Sequence, residues 1–97
     1  MDLLASVDEY DGSVGSQLKA GRERLGLSLS DIAEKTRVPM RHLQSIEQSN
    51  FDALPGQTYT LGFARSYANA VEMDATAISE AMRLELARSG HEGYQAP

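Results

Sequence analysis

The 97-residue chain has no cysteine and no tryptophan, and it lacks any excess of positive charge. Without cysteine it can form no disulfide, no thiolate metal site and no cysteine nucleophile, a composition that suits a reducing compartment. No uninterrupted apolar run approaches the roughly 20 residues of a membrane span. The opening stretch MDLLASVDEYDGS has neither the basic start nor the apolar segment of a secretory signal. Nine Lys and Arg stand against 14 Asp and Glu, a net charge of −5. That balance is far from the basic footprint of a domain that grips phosphates. These absences predict one soluble intracellular domain, the number this length supports.

What is present is unevenly distributed. Residues 1–15 carry a net charge of −4, residues 16–65 a net of +2 and residues 66–97 a net of −3. Residues 1–12 read as an acidic flexible tail and 89–97, with two glycines and a proline, as a linker. Between them the pattern predicts a domain over 13–88. Ser13 caps a first helix whose inner face carries Val14, Leu18 and Leu25, and Gly26 stops it. Ser28 or Ser30 caps a second, Ser28 pairing with Asp31 as a capping box, with Ile32 and Ala33 inward and an end near Thr36. Arg37 and Val38 make a tight turn, and Pro39 opens a third helix with Leu43 and Ile46 in the core. Ser49-Asn50 closes it, and Pro55-Gly56 ends a loop that begins at Phe51. A fourth helix is expected from about Thr58 to Val71. A fifth runs from about Ala75 to Arg88, capped by Asp74 and burying Ile78, Met82 and Leu86. With no alternating strand pattern, the expected fold is all-α: a five-helix, repressor-like bundle containing a helix-turn-helix. Ala33 is the small residue that lets the second helix approach the third.

Helix four carries two apolar stripes, where a surface helix normally needs one. Leu61, Ala64, Ala68 and Val71 form the first; Tyr59, Phe63, Tyr67 and Ala70 form the second, displaced by about 120°. The aromatics either pack beneath the Phe51–Gly56 loop and helix five or form a docking surface. Tyr59, at the helix start, suits both equally. Phe63 and Tyr67 are expected to be at least partly exposed as partner-binding residues, with Arg65 supplying a polar rim. The alternative is a DNA reader. In that case Arg37 in the turn and Met40, Arg41, Gln44 and Ser45 on the third helix face outward, Arg41 suited to guanine and Gln44 to adenine. A core of net charge +2 predicts weak DNA binding. Two isolated histidines, His42 and His91, make no metal site, and no serine has a paired base. The reading is therefore no enzyme, no cofactor and no small-molecule substrate.

The run GLSLSDIAEKTRVPMRHLQSIEQSNFDALPGQTYTLGFARSYANAVEMD, residues 26–74, resembles the helix-turn-helix domain of RodZ-like bacterial cell-shape proteins. That domain is itself a variant of the phage-repressor-like family. Gly26-Leu27-Ser28, Ala33 and Ile46-Glu47 are shared with repressors at large. Phe51-Asp52-Ala53-Leu54-Pro55-Gly56, Tyr59, Gly62-Phe63 and Arg65-Ser66-Tyr67-Ala68 carry the more specific likeness. The resemblance implies a five-helix domain at the cytoplasmic face of the inner membrane that binds the bacterial actin MreB through helix-four aromatics, here Phe63 and Tyr67. It also implies that Glu47 pairs internally with Arg22 or Arg24. Such proteins are membrane-anchored through a C-terminal region, and the sequence ending at Pro97 is expected to be a piece cut in the linker.

Overall fold

A computed structural model describes residues 12–90. It consists of helices α1 (Val14–Arg24), α2 (Leu29–Thr36), α3 (Met40–Glu47), α4 (Gln57–Ala70) and α5 (Ala75–Arg88), with a 3₁₀ turn at Phe51–Ala53 between α3 and α4. No strand occurs among the described residues. The predicted tail over 1–12 and linker over 89–97 lie outside them, save for Gly12, Ser89 and Gly90.

Local chemistry explains the boundaries. The Ser13 hydroxyl accepts the Ser16 N–H at 3.1 Å and starts α1. At the other end Leu27 N–H reaches the Arg22 carbonyl and Gly26 N–H the Glu23 carbonyl, with Gly26 at φ 71°. This is a Schellman closure. It corrects the inward placement of Leu25, which is exposed at the helix end, while Leu27 beyond the turn packs back on the core. The α2 capping box is complete: Asp31 N–H donates to Ser28 Oγ at 3.0 Å and Ser28 N–H to Asp31 Oδ2 at 2.8 Å. The turn to α3 is Arg37-Val38-Pro39, with Arg37 left-handed at φ 63°. Pro39 is the cap of α3 rather than its first residue. Asp74 caps α5 through the N–H groups of Thr76 and Ala77.

The core draws on every helix: Val14 and Leu18, Ile32, Val38, Leu43 and Ile46, Ala64, Tyr67, Ala68 and Val71, then Ile78, Met82 and Leu86. Helices α4 and α5 form a hairpin, α4 backs the α2–α3 pair, and α1 lies across α3 and α5. Two contacts fix α1. Its first N–H, that of Val14, donates to Glu85 Oε2 of α5 at 2.6 Å. Gly15 meets the carbonyl oxygens of Ile46 and Glu47 so closely that a Cβ there would collide with them. The small residue at this crossing lets α1 rest on the C-terminal turn of α3.

Candidate protein-docking face and its buried support

Helix four divides differently from the two-stripe expectation. Its buried arc holds Thr60, Ala64, Tyr67, Ala68 and Val71. At about 100° per residue these span a single face, and Tyr67 is its edge rather than part of a second stripe. The expected exposure of Tyr67 is thereby corrected: the ring is fully buried. The reason is polar as well as steric. The Tyr67 hydroxyl donates a short hydrogen bond to Glu47 Oε2 and accepts one from Arg22 Nε at 3.2 Å. Arg22 in turn grips Glu47 with two prongs, Nε to Oε2 at 2.9 Å and Nη2 to Oε1 at 3.1 Å, and its Nη1 donates to the Leu27 carbonyl. The expected internal pair of Glu47 with a first-helix arginine is thus made by Arg22. One network ties α1, α3 and α4 together with every partner satisfied. The Glu47 carboxylate holds the Arg22 guanidinium above its ordinary pKa. Burial, reinforced by Glu47, pushes the Tyr67 phenol well above its usual value.

Two aromatics remain near the surface. Tyr59 is 64% exposed, the largest exposure of any bulky apolar side chain described. Phe63 is half-buried and packs against the core edge. Its ring stacks on His42 of α3, centroids 5.3 Å apart and planes 16° from parallel, and meets Tyr59 at 6.2 Å. The three rings form a continuous row across the α3–α4 seam. His42, read from sequence only as an isolated histidine that makes no metal site, is the member that sequence reasoning missed. A lone histidine gives no periodic signal, and its neighbour lies 21 positions away. His42 Nδ1 is buried without a hydrogen-bond partner.

No Asp or Glu occurs in 57–70, and Arg41 next to His42 is exposed with no ion pair among the described residues. Arg65 is exposed too. Two residues beyond Phe63, however, it projects about 160° away around the helix. The expected polar rim for Phe63 is therefore corrected; Arg65 borders the far side of α4.

The positions proposed for DNA also separate. Arg37, Met40, Arg41 and Gln44 are exposed. Ser45 is buried, its hydroxyl donating to the Arg41 carbonyl at 3.0 Å. It shares the α4-facing side of α3 with His42, three residues earlier. Its outward placement is corrected. No group of three His, Cys, Asp or Glu residues that could hold a metal occurs among the described residues, and no described helix is long and apolar enough to cross a membrane.

Comparison with known proteins follows the same lines. A helix-turn-helix domain family matches residues 17–78. The cytoskeleton protein RodZ of Streptococcus pneumoniae is 36% identical over 69 residues, 71% of this chain and 25% of that protein. The uncharacterised membrane protein YmfM of Bacillus subtilis is 32% identical over 66 residues, 68% of this chain and 23% of that protein. The chain thus spans about a quarter of the length of these relatives. A solved structure of YmfM from Staphylococcus aureus, described as a candidate DNA-binding membrane protein, superposes with a TM-score of 0.69 at 37% identity. It covers 75% of this chain and 89% of its own.

Proposed function

Because this chain belongs to the helix-turn-helix domain family, and to its RodZ-like members in particular, we propose that it is a non-enzymatic adaptor domain that docks on the bacterial actin MreB. The observation that supports this most is the row Tyr59–Phe63–His42, in which exposed Tyr59 stands over half-buried Phe63 and His42, on a domain whose remaining bulky side chains are mostly in the core. Tyrosine and phenylalanine are common anchors of interface centres, where a polar rim excludes water around them. Arg41 and the lack of acidic residues on α4 suit an acidic partner surface. Tyr67 contributes from beneath: it holds α4 in register on α1 and α3 and does not touch the partner. In the full-length protein the domain stands at the cytoplasmic face of the inner membrane, joined through a linker over 89–97 to a membrane anchor.

Co-sedimentation with polymerised MreB tests this reading. Wild-type protein is expected to pellet with filaments, and Tyr59→Ala with Phe63→Ala to remain in the supernatant while still folded. Failure of the wild type to pellet at micromolar concentration refutes it. A second reading rests on the exposed row Arg37, Met40, Arg41 and Gln44, which suits the major groove. If that surface binds DNA, affinity falls steeply with salt and Arg41→Ala relaxes base preference. Aromatic docking is much less sensitive to salt.

A further inference from the structure

Gly62 stands at the middle of the exposed side of α4, where glycine is among the poorest helix formers. Nothing inside the domain accounts for it. A Cβ at Gly62 would meet no atom within 4 Å, and its φ is not left-handed. Other described glycines have evident reasons: Gly15 and Gly21 lie beneath neighbouring atoms, and Gly26 and Gly56 have positive φ. On the helix surface Gly62 is about 60° from Tyr59 and about 100° from Phe63. The most exposed ring of the docking row therefore stands beside a bare stretch of backbone.

We infer that Gly62 is a recognition residue: the partner's main chain packs directly on the α4 backbone there, against the flank of Tyr59. This rests on the docking proposed above and specifies how the MreB surface engages. Missing side chains let two backbones approach closely, and a methyl group inserted into such a contact separates them. The occupant is an acidic protein surface, since Arg41 stands exposed beside His42 and no carboxylate lies on α4.

The substitution Gly62→Ala separates this role from a structural one, because folding and docking respond in opposite directions. Within the domain the methyl enters open space and improves helix propensity, so the melting temperature should rise by about 4–8 °C. Affinity for polymerised MreB should nevertheless fall by about tenfold or more. Asn69→Ala, seven residues along the same exposed side, serves as control and should leave affinity unchanged. If Gly62→Ala is stabilised and pellets like wild type while Phe63→Ala does not, close approach at Gly62 is overturned and aromatic docking stands. If Gly62→Ala melts lower, the methyl is not in open space and the inference fails. If wild type itself does not bind, docking and this inference fall together.

Discussion

Replacing Tyr67 by phenylalanine removes one oxygen and leaves the ring, isolating the polar half of the buried α1–α3–α4 junction. The lost hydroxyl makes two hydrogen bonds, both to charged groups, Glu47 and Arg22. Hydrogen bonds to charged partners contribute about 1.5–3 kcal/mol each. Because Glu47 keeps both prongs of Arg22, no charge is left unpaired, and the loss should be near that of one such bond rather than two, about 2 kcal/mol. For a domain of this size that corresponds to a melting temperature lower by about 8–16 °C. Glu47→Gln is more severe, about 3–5 kcal/mol, because it strands an arginine only 13% exposed. Urea titration of both single variants and the double variant completes a cycle. The network predicts that the two losses fail to add by at least about 1 kcal/mol. A loss below about 0.5 kcal/mol for Tyr67→Phe, or strict additivity, would refute the view that this hydroxyl joins the three helices.

Three further outcomes follow from the same geometry. Gly15→Ala should destabilise by at least about 2 kcal/mol, opposite in sign to Gly62→Ala, because its Cβ strikes the Ile46 and Glu47 carbonyls; calorimetry of the two variants side by side reads the contrast. Arg37→Gly should be neutral or stabilise by up to about 1 kcal/mol by relieving the left-handed conformation, and a marked loss would show that the arginine side chain supports the turn. Alkaline pH should unfold the domain. The Tyr67 phenol has a higher pKa folded than unfolded, so its stabilisation is complete below the unfolded value near 10 and is lost as pH rises toward the folded one. Phenolate absorbance monitored with helicity should show that one tyrosine ionising only as the helices melt, and Tyr67→Phe should remove that step.

Helices and caps were readable because their signals are local. Ser13, the Ser28–Asp31 box, Gly26 and Asp74 each satisfy or terminate a helix within four residues of themselves, and Ile78, Met82 and Leu86 repeat at helical spacing. The docking face was only half readable. Tyr59, Phe63 and Tyr67 share one arc of α4, and nothing local distinguishes the ring that turns inward from those that do not. The decision is made by Glu47 and Arg22, 20 and 45 residues earlier. His42 was missed for the same reason: its role exists only once α3 lies on α4. Ser45 was misplaced because the outward row Met40, Arg41 and Gln44 was extended one position too far round a helix of eight residues.

The hydrogen bond from Val14 to Glu85 joins the first turn of α1 to the last turns of α5 across 71 positions of sequence. The polypeptide therefore enters and leaves this domain at neighbouring points. A short peptide joining residue 90 to residue 12, with new termini opened between the exposed Asp52 and Ala53, should yield a circular permutant with the same fold. The same closure holds the last turns of α5 beside the first turn of α1. Fluorophores attached at residues 13 and 89 would report a short, nearly constant separation until the bundle opens.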